Sequence, residues 1–400
     1  MTLLDARASG LPPGAAASLA AHADIIVLTS SPLDRWQCPN VDLAPFFFWA
    51  RSLPSSRLVV TGAHGTLFPE HILNATGAWA VVRGEPEGAV RNLCLELTGG
   101  GSGLCRASSL SFRDGPAIHH TPDGPPAGPQ SFPTPAYDLT RPELYTYEPL
   151  GDRLAVLETS RGCSHRCLYC FKAMYSHGIR PKPLDRIHAD IEAIVRNGYR
   201  SVYFMDLNLA WNRSRTLELC RLLRGFSLSW CCQTRVDSVD EDILKEMAAA
   251  GCRLIHYGIE GGSPPAWERM GKGISLDAAE RAVRYTKKAG MATAGFFLGG
   301  FPWETAEDRR RTESLARQLA MTYASFHAVT CYAGTPLARL MGVSGPWWED
   351  PPPSPALLTW TRRATWRTLL SPATAMEALR RGALRPEVLR LFLSFLPAGK

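Results

Sequence analysis

The chain runs to 400 residues, 45% hydrophobic and 20% charged, with a formal net charge of +7; these proportions describe an ordinary globular protein long enough for two domains and a small third. No stretch of about 18 uncharged apolar residues occurs, so no membrane-spanning helix is expected. The opening "MTLLDARASGLPPGAAASLA" lacks the basic start and compact apolar centre of a secretory signal, and the expected compartment is the cytoplasm.

Residues 1–98 alternate short apolar runs with helical ones. "ADIIVLTSS" (23–31), "RLVVTGAHG" (57–65) and "WAVVRGE" (79–85) end in or next to Gly, Ser or Thr, as buried parallel strands do where they enter functional loops. "LAPFFFWARSL" and "PEHILNATG" between them have helical spacing. The pattern is a small doubly wound α/β unit, with ligands expected at the carboxyl ends of its strands. Residues 99–150, rich in Gly and Pro, read as a linker and wrapping segment. Within them "GGGSG" lacks the lysine and the strand-to-helix setting of a phosphate loop, which leaves a flexible turn.

From 151 to 336 the alternation is stronger. Strands are expected at 153–159, 201–206, 228–235, 253–259, 293–299 and 325–332. Helices are expected at 185–197, 214–225, 240–250, 276–289 and 305–320. "DEDILKEMAAAG" has an acidic start and a glycine stop, and "LDAAERAVRYTKKAG" ends in lysines and glycine, as helix termini prefer. Six β/α repeats suggest a partial parallel (β/α)6 barrel with its chemistry at the strands' C-terminal ends. Residues 337–400 open with "GPWWEDPPPSP" and then turn helical ("ATAMEALRRGALRPEVLRLFLSFL"), a region expected to close over the barrel. The arginine runs Arg309–Arg311 and Arg362–Arg363 fall in helical pattern and read as solvated faces rather than nucleic-acid contacts.

Three of the eleven cysteines stand inside eight positions of "ETSRGCSHRCLYCFKAMY": Cys163, Cys167 and Cys170. A structural zinc site would need a second pair of ligands nearby, and a closed ferredoxin-type cluster a fourth cysteine at fixed spacing. Neither is present. Cys231 and Cys232 sit side by side in a strand, and Cys220 and Cys252 fit packing positions. Three thiolates on a four-iron cube leave one iron open to bind a small molecule.

This loop, C-x3-C-x-aromatic-C after the first barrel strand, resembles the signature of the radical S-adenosylmethionine (radical SAM) enzymes. The resemblance implies a 4Fe-4S cluster on the three cysteines, with SAM chelated at the open iron and cleaved by one electron to a 5′-deoxyadenosyl radical. It also implies SAM contacts at Tyr169 in the loop, Asp206 in "VYFMDLNLAWN", Arg235 in "TRVDSVDEDIL" and Glu260 in "HYGIEGGSPPAWERMGKG". Gly300 and Pro302 in "GFFLGGFPWET" correspond to the adenine-binding turn. "CYAGTPL" resembles the end of the sixth strand, with Ala333 departing from the family pattern. Taken singly, Arg235 and Glu260 also read as a rim ion pair, and Asp206 as a helix cap.

The N-terminal loops resemble those of the cobalamin-binding domain in cobalamin-dependent radical SAM proteins. The implied cobalamin contacts are Ser30 in "TSSPLDRWQCP", Gly62, His64, Gly65 and Thr66 in "TGAHGTLFPE", and Gly84 and Glu85 in "RGEPEGAV". His64 reads equally as a corrin contact or a loop-ordering hydrogen bond. No D-x-H-x-x-G stretch is present to supply a histidine below cobalt. "TLLDA" reads as the second strand of such a domain, so the Rossmann-like unit is expected to be shortened. The implied activity is C-methylation of a small specialised metabolite from methylcobalamin. A radical cyclase or rearrangement enzyme stands second, and a non-catalytic iron–sulfur or zinc protein third. A flavodoxin or ferredoxin would supply electrons; no residue is assigned as general base.

Overall fold

The computed structural model describes residues 1–98, 104, 107–125, 128–175 and 178–383. The chain divides into two compact units: Met1–Pro133 with Tyr169–Pro181 and Cys331–Asp350, and Thr134–Leu168 with Lys182–Thr330 and the segment from Pro351 onward.

The first unit is built on a five-stranded sheet. Strands β1 (Ile26–Thr29), β2 (Leu58–Thr61) and β3 (Ala80–Val82) run parallel, linked by helices α1 (Ala44–Ser52) and α2 (Pro69–Thr76) and followed by α3 (Pro86–Thr98). The four residues of β2 are all buried, and they divide by strand alternation. Leu58 and Val60 pack with Ile72 and Leu73 of α2, while Val59 packs with Ala89 and Leu93 of α3. Each such side chain contributes about 1.5–3 kcal/mol by leaving water, which is why the run carries no polar residue before Thr61.

Two features differ from the sequence reading. "TLLDA" forms no strand; Leu3 and Leu4 are exposed there, and the first described strand is β1, at the sheet edge. The expected linker contains a hairpin, β4 (Leu110–Asp114) and β5 (Ala117–His120), which extends the same sheet antiparallel from β3. Its two-residue Gly115-Pro116 turn, with Gly115 at φ +57°, is a hairpin signal that the surrounding proline-rich composition hides. "GGGSG" lies outside the described residues, as does the helical pattern beyond Ala383.

The second unit is organised by a six-stranded, wholly parallel sheet in sequential order. Its strands are β6 (Leu154–Leu157), β7 (Ser201–Phe204), β8 (Ser229–Thr234), β9 (Cys252–Glu260), β10 (Ala292–Gly299) and β11 (Tyr323–Ala328). Crossover helices α4 (Leu184–Arg196), α5 (Arg213–Leu223), α6 (Glu241–Ala249), α7 (Leu276–Lys288) and α8 (Ala306–Leu319) join them, and α9 (Pro355–Leu369) and α10 (Pro372–Arg380) follow. Four of the crossovers start on a side-chain cap: Asn212, Asp240, Ser275 and the capping box of Thr305 with Asp308. A cap of this kind contributes about 1 kcal/mol and fixes where each strand-end loop stops.

Strand alternation sorts the sheet's two faces. Leu157, Phe204, Trp230, Cys232, Tyr257, Phe297 and Phe326 pack under the helices in one large core. The opposite face is graded along the strands. Near their N-terminal ends it carries Cys231, Leu254 and Ala294 with Tyr147 and Tyr323 packed on them. By the same alternation, Arg235, Glu260 and His327 close it at the C-terminal ends. Cys220, Cys231, Cys232 and Cys252 are all buried; burial pushes the Cys220 thiol up to about 12 and the Cys231 and Cys232 thiols well above their usual range. They are core residues, as their positions suggested.

Candidate active site

The site is laid out by the end of β6. The chain leaves the strand through Glu158, Thr159, Ser160 and Arg161 before reaching the cysteines, and Asp206 from the end of β7 holds that exit. Its Oδ1 accepts from the hydroxyls of Thr159 (2.7 Å) and Ser160 (2.6 Å), and its Oδ2 accepts from the Thr159 backbone N–H (2.9 Å). Asp206 is 1% exposed. Burial raises its carboxyl above the usual range, and the hydrogen bonds from Ser160 and Thr159 oppose that rise. It does not cap a helix; it orders the segment that delivers the cysteines. The carbonyl of Thr159 also accepts from the Lys182 N–H and from Arg215 (2.8 and 3.0 Å).

Cys163, Cys167 and Cys170 are all half-buried. The Arg235 guanidinium stands 4.0 Å from the Cys167 sulfur. It is gripped by both Asp237 oxygens (2.9 and 2.7 Å) and donates to the Lys272 carbonyl (2.7 Å). Burial pulls this guanidinium down, but Asp237 and the thiols of Cys167 and Cys163 outweigh it and hold it above its ordinary value. Soft thiolates beside a fixed cation suit an iron–sulfur cluster. Among the described residues no three His, Cys, Asp or Glu side chains, the three cysteines included, group as ligands of a single metal ion.

Glu260 ends β9 just past a register shift between Gly258 and Glu260, and it takes φ +66°, a left-handed conformation rare outside glycine. Its carboxylate pairs with Lys272 at 3.2 Å, both nearly buried. The alternative reading of Arg235 and Glu260 as a rim pair does not hold: Arg235 pairs with Asp237, and Glu260 with Lys272. Lys272 was not anticipated; its signal is "MGKG", where glycines at φ +64° on each side fix the turn. Asn208, two residues past Asp206, accepts from Thr234 and the Arg235 N–H (2.6 and 3.1 Å) and so fixes the end of β8.

Gly300 follows β10 at φ +93°, its N–H held by Glu304 (2.6 Å), and the place of a Cβ is taken by Leu357. Pro302 is exposed between Phe301 and Trp303, whose rings stack at 5.2 Å. A cavity of about 290 Å³ lies beside this turn, lined by Phe301, Trp303, Arg269 and Arg311; none of Asp206, Arg235 and Glu260 reaches it. Tyr169 is half-buried at the start of the segment grouped with the first unit.

In the first unit, the loops after β1, β2 and β3 bring the remaining candidates together. Thr66 donates its hydroxyl to the Gly62 carbonyl (2.8 Å) and accepts the Gly84 N–H (2.9 Å), tying two loops. Gly62 has φ +109°, and a Cβ there would come within 2.8 Å of Ser30 Oγ, Ser31 Oγ and Ser31 N. A Cβ on Gly65 would strike Val81 at 2.7 Å, whereas one on Gly84 would meet nothing within 4 Å. His64 is fully buried, with Nδ1 3.0 Å from Ser30 Oγ and Nε2 2.9 Å from the Asn40 carbonyl. Its ring lies 5.0 Å from both Trp347 and Trp348. That is the loop-ordering arrangement. Glu85 is tied to Arg180 through both oxygens.

Residues 157–316 match the model of the radical SAM superfamily. Among curated proteins, an uncharacterised methyltransferase of Pyrococcus horikoshii is 30% identical over 70% of this chain and 62% of its own length. An anaerobic magnesium-protoporphyrin IX monomethyl ester cyclase of Rubrivivax gelatinosus is 25% identical over 72% of this chain and 54% of its own length. The chain therefore spans roughly three-fifths and half of these relatives. Among solved structures, the radical SAM methyltransferase TsrM of Kitasatospora setae, determined with cobalamin and a 4Fe-4S cluster bound, superposes with a TM-score of 0.63 at 18% identity. That match covers 78% of this chain and 63% of TsrM, and it is a likeness of fold. Residues 157–316, with the cysteine loop and the parallel sheet, thus form a radical SAM domain, and the chain shares the fold of the cobalamin-bound radical SAM methyltransferase TsrM.

Proposed function

We propose that the protein is a cobalamin-dependent radical SAM methyltransferase acting on carbon in a small molecule. The observation that carries this reading is the cysteine loop at the C-terminal end of β6, with Asp206 fixing its entry and Arg235 4.0 Å from Cys167. Cys163, Cys167 and Cys170 would hold the cluster at the end of the first strand of a partial (β/α)6 barrel, and the loops of Ser30, Gly62, Thr66, Gly84 and Glu85 would hold cobalamin in a Rossmann-like domain. When bound, these groups would supply the electron that cleaves SAM and the methyl group that is transferred. The chain's own residues orient the reactants: Asp206 keeps the loop in place, and Glu260 and Arg235 present a carboxylate and a cation at the strand ends toward SAM. Of the candidate cobalamin glycines, Gly84 is the one with open space for a flat ligand.

The test is anaerobic incubation of iron- and sulfide-reconstituted protein with a reductant, SAM and hydroxocobalamin, which the reductant converts to the cob(I)alamin that accepts the methyl group of SAM. Formation of both 5′-deoxyadenosine and S-adenosylhomocysteine, lost on Cys163→Ala, is the expected result. The cyclase among the relatives motivates the second reading, cyclisation or rearrangement; it would give 5′-deoxyadenosine without S-adenosylhomocysteine. Neither product from cluster-loaded protein would refute both readings.

A further inference from the structure

The face of the six-stranded sheet turned away from its helices carries a row of rings that the SAM and cobalamin assignments leave unused. Tyr203 lies 5.2 Å from His256, His256 5.6 Å from Phe296, and Phe296 6.1 Å from His327, crossing β7, β9, β10 and β11. Tyr203 and Phe296 are half-buried and His327 is exposed, so the row is a surface and not a filled core. On the same face Val156 of β6 is 43% exposed. Aromatic rings set edge-on and tilted in this way receive another flat ring well.

The polar atoms of the row narrow what it accepts. His256 is 4% exposed, and its two nitrogens meet the hydroxyls of Tyr203 (3.0 Å) and Tyr147 (3.2 Å). It is therefore a fixed floor. His327 meets Ser325 Oγ through Nε2 at 2.9 Å, and among the described residues nothing hydrogen-bonds its Nδ1. Burial lowers His256 to about 4, and desolvation also lowers His327, with Glu260 opposing. The charges at the strand ends are taken: Glu158 by Arg161, Arg235 by Asp237 and Glu260 by Lys272. With each of these charges already paired, a neutral ligand on the row costs less desolvation than a charged one.

We propose that this row seats the substrate, and that the substrate offers it a neutral planar ring bearing an N–H or O–H, which His327 Nδ1 receives while Phe296 takes the ring's face. The word "substrate" rests on the radical SAM reading above; the ring site itself does not. The test uses three neutral probes, indole, naphthalene and cyclohexanol, with the full chain, by saturation-transfer NMR and equilibrium dialysis. Indole is expected to bind about tenfold more tightly than cyclohexanol. Phe296→Leu should weaken indole and naphthalene alike by about three- to tenfold, His327→Ala should weaken indole alone, and His327→Asn should recover part of that loss. Indole binding no tighter than cyclohexanol, or unchanged by both substitutions in folded protein, overturns the proposal. The SAM-cleavage assay separates the two readings: 5′-deoxyadenosine without ring binding sinks the ring site alone, and ring binding with no cleavage supports the site while sinking the enzymatic reading.

Discussion

Thr159 gives both its backbone N–H and its hydroxyl to the two oxygens of Asp206. The second residue beyond one strand is thus held by the second residue beyond its neighbour, four positions before the first cysteine. A buried carboxylate with only donors around it cannot be replaced by an amide without turning an NH2 toward an N–H. Asp206→Asn should cost about 3 kcal/mol of stability and lower the iron bound after reconstitution. A chemical-denaturation curve and an iron assay read the two effects. Normal iron content in a destabilised variant would show that the clamp serves the sheet and not the cysteine loop.

His64 makes stability depend on pH. The Asn40 carbonyl can only accept, so Nε2 carries the proton and Nδ1 accepts from the Ser30 hydroxyl. Burial lowers this imidazole from 6.5 to about 4, with the Asn40 bond opposing. Between those values the unfolded chain binds the extra proton and the folded one does not, so stability falls as pH drops. The contribution is full above about pH 6.5, and about 3 kcal/mol is lost by pH 4, or about 1.4 kcal/mol per unit. Thermal melts from pH 7.5 to 5 should show a slope that flattens in His64→Asn. An unchanged slope in that variant would assign the acid sensitivity elsewhere.

The glycine at position 62 is demanded by its neighbours. Its φ of +109° and the 2.7 Å approach of two serine hydroxyls leave no room for a methyl group. Gly62→Ala should cost about 2–4 kcal/mol and loosen the Thr66 tie to Gly84. Under the proposed function, purified variant should also lose the visible absorbance of retained cobalamin. Gly84→Ala keeps the strain of φ +72° but meets no neighbour, so its melting temperature should fall less than that of Gly62→Ala.

What the sequence made legible was periodic. The strands and helices of the second unit follow from apolar runs and capped amphipathic segments, and their ends fall within a few residues of the expected positions. The β4–β5 hairpin was hidden because its turn sits in a stretch whose Gly and Pro content reads as linker. Candidate positions such as Asp206 and Glu260 could be named from their place at strand ends, but their partners could not. Thr159, Lys272, Arg180 and Trp347 lie 12 or more residues from the groups they hold, and a long-range partner leaves no local period.

Glu260 and Lys272 offer the sharpest separation of architecture from chemistry. The pair is nearly buried, at 10% and 6% exposure, so removing one member leaves the other charge uncompensated. Glu260→Gln and Lys272→Met should each cost about 3–5 kcal/mol. Replacing both removes the two buried charges together, and the double variant should regain most of that stability, because a buried ion pair contributes little net energy over neutral groups of similar shape. SAM affinity should not return with it, since the carboxylate proposed to face SAM is still missing. Denaturation curves and equilibrium dialysis of SAM on the four proteins of this cycle decide the point: a double variant that is stable and binds SAM normally would leave Glu260 a structural residue only.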